Sequence, residues 1–168
     1  AAMYGAAAQL LQAGRKRILY LYTSYSYSGV NKLEGYKDAL KEKGIAPCSE
    51  LIRQCPKDIE AARDLLLSLR NEGLEFDAVV TSDDSLAVGA VKYAHTAGIS
   101  IPDELSIIGY NNSLLARCTD PEITSIDSKV EALCTTTINT LMGVFSGVNV
   151  PSRTTIASDL IKRKTTNF

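Results

Sequence analysis

The sequence has 168 residues, of which 45% are hydrophobic and 22% are charged, and its formal net charge is −1. This composition is typical of one soluble globular domain and argues against intrinsic disorder. Acidic and basic side chains are balanced in both halves, which argues against a nucleic-acid-binding surface in this part of the protein. No apolar run reaches the roughly 18–20 residues that a membrane span needs, so we expect no membrane partner.

The chain has four cysteines and one histidine, which limits the chemistry it can support. Cys48, Cys55, Cys118 and Cys134 form no zinc-site spacing, and His95 is remote in sequence from all of them. We therefore expect four reduced thiols in a cytoplasmic protein, with no metal and no cofactor. The first residues also lack the basic stretch of a secretory signal, which agrees with this location.

The first half of the chain alternates between helical and extended patterns. In chain order, we predict a helix over 3–13, a strand over 17–23, a turn over 24–29, a helix over 30–43, a strand over 49–54 and a helix opened by Pro56 and Asp58. Gly14, Gly44 and Gly73 stand where these helices are expected to end, because glycine readily adopts the left-handed conformation of a C-cap.

The second half continues the same alternation. In chain order, we predict strands over 77–81, 105–110, 123–126 and, at a sheet edge, 154–161, with helices over 84–97 and 128–145. Alternating strands and helices with short connections indicate parallel β-α-β units. We therefore predict an α/β fold with a parallel, doubly wound, Rossmann-like sheet.

In such sheets, ligands bind outside the carboxyl ends of the strands. This rule selects four loops as candidate binding segments: 24–29, 55–57, 82–85 and 111–113. The sequence has no phosphate-binding glycine motif and no nucleophile elbow, so we expect no catalytic residues. The adjacent carboxylates Asp83 and Asp84 could bind Mg²⁺ for phosphoryl transfer. The simpler hypothesis, which we favour, is that Asp84 caps the following helix while Asp83 faces the crevice.

Three other features have ordinary structural explanations beside functional ones. Tyr25 and Tyr27, after the first strand, could stack on a sugar or a base, or could simply pack the loop. His95 falls in the last turn of a predicted helix, where a positive ring is favourable. The basic runs 15–17 and 162–164 are interpreted as solvated ends of strands.

One stretch carries a specific resemblance. Residues 76–111, FDAVVTSDDSLAVGAVKYAHTAGISIPDELSIIGYN, resemble the effector-binding core of the lactose/galactose repressor (LacI/GalR) family of bacterial transcription regulators. The segments GVNKLEGYKDALKEKGI (29–45), DPEITSID (120–127) and DLIKRKTT (159–166) are similar to further motifs of that family, in the same order. The resemblance covers essentially the whole chain.

The resemblance implies one lobe of a type I periplasmic-binding-protein-like fold. Residues 1–127 and 152–168 would form the C-terminal lobe, and 128–151 would be a helix and connector of an N-terminal lobe that is otherwise missing. The helix-turn-helix that reads operator DNA would also lie outside this sequence. The apolar side chains of the 128–145 helix would then lack their usual cover, and we expect them to pack on their own lobe or on a second chain.

The resemblance also implies an effector site, with three departures from the family's usual residues. The family usually has Arg where this chain has Lys32, Asn where it has Asp83, and Asp where it has Asn111. Tyr25, Tyr27 and Ser128 complete the set of candidate effector-binding residues.

The function implied is effector sensing and dimerisation in a transcription regulator, without enzymatic activity. The expected partners are a sugar-like or polyol effector, a second copy of the chain, and operator DNA through the missing domain only. Two alternatives stay open: a sugar-binding protein of a transport system, and a regulator lobe that responds to a protein co-effector. A phosphoryl-transfer enzyme that uses Asp83 and Asp84 ranks far behind.

Overall fold

The computed structural model describes residues 2–23 and 27–168. The helices are α1 (Ala2–Gln12), α2 (Tyr27–Glu42), α3 (Ile59–Asn71), α4 (Asp84–Ala97) and α5 (Val130–Phe145). The strands are β1 (Ile18–Tyr22), β2 (Ile52–Gln54), β3 (Ala78–Thr81), β4 (Ser106–Tyr110), β5 (Thr124–Asp127) and β6 (Asp159–Ile161). Short 3-10 helices lie at Ser49–Leu51 and Leu114–Arg117.

The strands form one six-stranded sheet in the order β2-β1-β3-β4-β5-β6. The first five strands are parallel, and β6 pairs with β5 in the antiparallel direction at the edge. The predicted α/β fold with a doubly wound sheet is therefore confirmed. The chain leaves β1 toward β2 on one side and returns to β3 on the other, so the topological switch point lies between β1 and β3.

Alternate side chains of the central strands enter two separate cores. Leu19, Val79 and Ile107 pack with the side chains of α3 and α4 on one face of the sheet. On the other face, Tyr20 and Tyr36 stack with ring centroids 5.2 Å apart among side chains of α1 and α2. The Tyr36 hydroxyl donates to the carbonyl oxygen of Ile18 at 2.7 Å, which satisfies this buried polar group. Both faces of the sheet are thus covered by helices.

Some predicted boundaries differ from the structure. Helix α2 begins at Tyr27, inside the segment 24–29 that the sequence predicts as a turn. Ser28 and Gly29 are tolerated there because the first N–H groups of a helix make no intrahelical hydrogen bond. The predicted strand over 49–54 begins as a 3-10 helix, and the predicted strand over 154–161 is reduced to Asp159–Ile161.

Helix α5 lies outside both cores, and the segment that follows it, 150–156, lies along one side of it. None of its side chains is buried, and Phe145 is 75% exposed. The other large apolar side chains exposed on it are Val130, Leu133, Ile138, Leu141, Met142 and Val144. Of the two expected arrangements, packing on its own lobe is therefore wrong, because the apolar side chains of α5 are in neither of the two cores. Packing on a second chain stays a prediction. Within the described residues, no helix is long and apolar enough to cross a membrane.

Candidate functional site

The predicted binding loops converge at the carboxyl ends of the parallel strands. Lys57 follows β2, Asp83 follows β3, and Asn111 follows β4. The Lys57 Nζ lies 2.8 Å from Asp83 Oδ2, and the Asn111 amide donates to the same oxygen at 3.0 Å. Three loops that are far apart in sequence therefore meet at one carboxylate, beside the topological switch point of the sheet.

Asp83 is the hub of this cluster, and it also caps α4. Its backbone is extended, and its Oδ1 accepts from the Ser85 N–H at 3.0 Å and from the Ser85 hydroxyl at 2.7 Å. Burial by itself would raise the pKa of the Asp83 carboxyl. The hydrogen bonds from Lys57 and Ser85 outweigh that effect and hold the pKa below its ordinary value. Asp83 is thus a carboxylate at neutral pH.

The prediction that Asp84 caps the helix is wrong, because Asp84 is already the first helical residue. Its carboxylate is buried and turns the other way, toward the loop after β4 and strand β5. It accepts from the Ser113 N–H at 2.7 Å, the Ser113 hydroxyl at 2.8 Å and the Ser125 hydroxyl at 2.6 Å. The oxygens of the two adjacent carboxylates therefore accept hydrogen bonds from different protein donors. In the described residues, no group of three or more acidic, Cys or His side chains could hold a metal ion.

The turn after β4 has an unusual backbone that brings Asn111 into the cluster. Asn111 has φ of 101° and Asn112 has φ of 50°, in a region where Asn is among the better tolerated residues. The Asn111 N–H donates to the Ile126 carbonyl at 2.8 Å, and the Asn112 N–H donates to the Ser125 hydroxyl at 3.0 Å. These two hydrogen bonds to strand β5 thus stabilise the turn in this conformation.

Arg163 fixes the same turn from the C-terminal segment. Its guanidinium donates to Asn112 Oδ1 at 2.6 Å and to the Ile123 carbonyl at 2.8 Å, and its side chain is 11% exposed. The interpretation of the basic runs as solvated strand ends is therefore wrong for Arg163. It is wrong also for Arg15, which donates to the carbonyls of Pro102 and Asp103. In both cases the tertiary structure brings backbone acceptors to the cation.

Lys32 approaches the cluster from α2. Its Nζ donates to the Ser82 carbonyl at 3.1 Å and lies 3.6 Å from the centroid of the Tyr110 ring, a cation–π contact. Burial lowers the pKa of Lys32; the negative charge of Asp83 raises it in part, and the positive charge of Lys57 lowers it further. Lys32 is thus close enough to both groups to interact with their charges.

The remaining candidates are less closely connected. Tyr27 is 87% exposed at the start of α2, beside a cavity that is lined also by Asn31, Lys32 and Tyr110. Ser128 follows β5, and no hydrogen bond described in the structure joins it to Asp83. Tyr25 lies outside the described residues. Among the predicted residues, the structure therefore brings together Lys32, Asp83 and Asn111.

Sequence reasoning missed Lys57 as a site residue, although it selected the loop 55–57 that contains it. Its charge and its place directly after a strand were available signals. The salt bridge to Asp83 depends on β2 lying two strands from β3, which the sequence alone does not specify.

Comparison with known proteins gives the relatives of this chain. A family model described as a periplasmic binding protein-like domain matches residues 7–166. The chain is 53% identical over 167 residues to an HTH-type transcriptional regulator of Lachnoclostridium phytofermentans, covering 99% of this chain and 50% of that protein. It is 31% identical over 161 residues to the HTH-type transcriptional regulator AscG of Escherichia coli, covering 95% of this chain and 48% of AscG. The chain thus spans about half the length of these relatives.

Solved structures agree with the sequence relatives. The crystal structure of the Escherichia coli transcriptional repressor ascG has a TM-score of 0.90 at 30% identity, covering 98% of this chain and 60% of that one. A second Escherichia coli structure is described as a sugar-binding transcriptional regulator of the LacI family complexed with phosphate. It also gives a TM-score of 0.90 at 30% identity, over 98% of this chain and 59% of that chain.

These relatives are transcription regulators, and their family is not one of enzymes, so the prediction of a non-enzymatic protein agrees with them. The expected periplasmic-binding-protein-like fold is likewise confirmed, by the matched domain model and by the structural neighbours. The chain belongs to the LacI/GalR family of transcription regulators, as part of its effector-binding domain.

Proposed function

We propose that this chain is the effector-sensing lobe of a bacterial LacI-family regulator that works in the cytoplasm. A small sugar-like molecule would bind at the cluster of Lys32, Lys57, Asp83 and Asn111. The convergence of these polar side chains at the switch point of a doubly wound sheet is the observation that carries the proposal. A sugar-binding relative of the same fold supports the class of effector.

In this proposal, residues 1–127 and 152–168 form one lobe, and residues 128–151 belong to a second lobe. The support is the exposure of α5, because none of its side chains is buried in the described chain and its large apolar ones stay exposed. A helix with large exposed apolar residues along its length is expected to pack against another surface. The length of the relatives, about twice that of this chain, leaves room for such a lobe.

The proposed mechanism is a switch between two arrangements of the lobes. An effector in the cleft between them shifts this equilibrium only by its different affinity for the two arrangements. In a homodimer, the arrangement would set the spacing of the two helix-turn-helix domains on operator DNA. Ser128, at the junction with α5, would lie on the path between the lobes, and Tyr27 would border the cleft. Tyr25 stays a candidate effector-binding residue from the sequence.

The alternatives make different predictions for the same protein. A sugar-binding protein of a transport system would bind its ligand without any effect on DNA. A lobe that responds to a protein co-effector would ignore sugars altogether. The regulators among the relatives favour the first proposal over the transport protein.

A thermal-shift screen of the full-length regulator against sugars, polyols and sugar phosphates tests the proposal. A bound effector raises the unfolding midpoint by mass action. We expect a compound that stabilises the wild type and no longer does so in Asn111→Ala. Asn71→Ala is the control, because it makes the same change at an exposed position at the C-terminal end of α3 and should leave binding intact. The same compound should change the affinity for operator DNA in a gel-shift assay. A hit with no effect on operator binding would favour the transport protein, and no hit at all would contradict a small effector.

A further inference from the structure

The hydrogen-bond acceptors of the cluster are already in use. Asp83 Oδ1 accepts two hydrogen bonds from Ser85, and Oδ2 accepts one from Lys57 and one from Asn111. Since a carboxylate oxygen has two lone pairs, Asp83 has no acceptor site left for a ligand hydroxyl. The neighbouring Asp84 is buried beneath the loop and accepts from Ser113 and Ser125. Both carboxylates are thereby withdrawn from direct ligand binding.

The cluster has more hydrogen-bond donors than its described hydrogen bonds use. An ammonium group has three N–H donors. In the described contacts, Lys57 gives one hydrogen bond to Asp83, and Lys32 gives one to the Ser82 carbonyl. The Lys57 side chain is 62% exposed, so its remaining donors can turn toward a ligand. The carbonyl oxygen of the Asn111 side chain is the one acceptor of this group with no described partner.

The charges of the cluster also favour a ligand that brings negative charge. Lys32 and Lys57 carry two positive charges, whereas the one carboxylate that faces them, Asp83, carries a single negative charge. Lys32 is half-buried, and its pKa is lowered because burial removes water from its ammonium group. A ligand anion beside Lys32 would offset this lost hydration, which a neutral hydroxyl does to a much smaller extent.

We propose that the effector carries an anionic group, a phosphate or a carboxylate on a sugar-like molecule, which Lys32 and Lys57 bind as a pair. The inference rests on the proposed function and specifies the chemical class of its effector. Lys57 is then a specificity-determining residue with two roles. It donates to the anion, and its salt bridge occupies the Asp83 oxygen that a neutral sugar hydroxyl would need.

Titration calorimetry of the full-length regulator tests this inference. The probes are neutral hexoses, their 6-phosphates and the corresponding aldonic acids, at one fixed ionic strength. A hydrogen bond to a charged group contributes enough that a charged probe should bind at least about 10-fold more tightly than its neutral parent. The phosphate and carboxylate probes distinguish the two sources of the charge.

The variant Lys57→Met separates the two roles of this residue. We expect it to weaken binding of the charged probe about 10-fold or more, and to leave binding of the neutral hexose unchanged or improved, because an Asp83 oxygen becomes free. Lys41→Met is the matched control, since Lys41 is similarly exposed at the far end of α2 and should alter neither affinity.

Three outcomes would overturn the inference: a neutral hexose that binds as tightly as its charged derivatives, no binding of any charged probe, or an unchanged affinity in Lys57→Met. If a neutral sugar binds at least as tightly as its charged derivatives and alters operator binding, the inference fails while the proposed function stands. If the full-length protein does not bind operator DNA at all, the proposed function itself fails.

Discussion

Asp83 and Asn111 face each other across the ends of β3 and β4, joined by a hydrogen bond of 3.0 Å. In the motif that carries the resemblance to the family, the two side chains stand in the opposite order, an amide after the third strand and a carboxylate after the fourth. The departures at Asp83 and Asn111 are therefore a single swap: the carboxylate and the amide have changed strands and still contact each other. The pair keeps one donor and one acceptor in contact, whichever strand carries the charge.

The single substitution Asn111→Asp should destabilise the protein, because it places two carboxylates within hydrogen-bond distance of each other. Like charges raise the pKa of one carboxyl above its ordinary value, so the loss of stability should be largest at neutral pH and should shrink toward pH 4. The double variant Asp83→Asn/Asn111→Asp restores one amide and one carboxylate. We expect it to recover most of the stability that Asn111→Asp loses.

Chemical unfolding of the wild type, the two single variants and the double variant at pH 7 and pH 4 measures the coupling between the two positions. Neighbouring residues typically give interaction energies of about 0.5–3 kcal/mol in such cycles. Additive effects of the two substitutions, with no coupling, would show that the exchange is not compensated.

At the scale of the elements, α3 and α4 pack tightly against each other in the lobe. Gly89 on α4 faces α3 directly: a Cβ at this position would lie 2.5 Å from the Ala62 Cβ and 2.6 Å from the Ile59 carbonyl oxygen. A contact to backbone cannot be relieved by rotating a side chain. The absence of a Cβ at Gly89 therefore sets the distance between the two helices that cover one face of the sheet.

Gly89→Ala should therefore destabilise the lobe by about 1–3 kcal/mol, as overpacking typically does, even though Ala favours a helix. Gly5→Ala in α1 is the matched control, because a Cβ there meets nothing within 4 Å. It should stabilise the chain by up to about 1 kcal/mol through helix propensity alone. Thermal or urea unfolding measures both, and changes of the same sign would contradict the close contact.

At the scale of the whole molecule, the chain has one well-packed lobe and one helix outside it. The sheet and α1–α4 share two cores, while α5 has no buried residue. The stability of the lobe should therefore not depend on the apolar side chains of α5. In a two-lobed protein, the same side chains would become part of a second core.

Ile138→Ala distinguishes these two situations, because Ile138 is 58% exposed on α5. In the 168-residue chain, we expect a change in the free energy of unfolding of less than about 0.5 kcal/mol. In the full-length regulator, burial against the second lobe should raise the cost to about 2–5 kcal/mol. Leu66→Ala in the lobe core is the control and should destabilise both proteins. An equal, small effect of Ile138→Ala in both would contradict the proposed second lobe.

The sequence alone determined the α/β class, the alternation of elements and the edge that carries the site. These follow from local signals: apolar periodicity, the Asp58 N-cap, which accepts from the Ala61 N–H at 2.8 Å, and Gly73 at the end of α3, with φ of 83°. The carboxyl-end rule then selected the loops that hold Asp83 and Asn111. Each of these inferences needs only residues that are close together in the chain.

The tertiary structure alone decided which partner each polar group finds. It assigned the helix cap to Asp83 rather than Asp84, joined Lys57 to Asp83, and brought Arg163 to Asn112 across 51 residues of chain. It also left α5 uncovered. Local patterns do not fix these features, because a side chain's hydrogen bonds depend on which distant segments the sheet order places beside it.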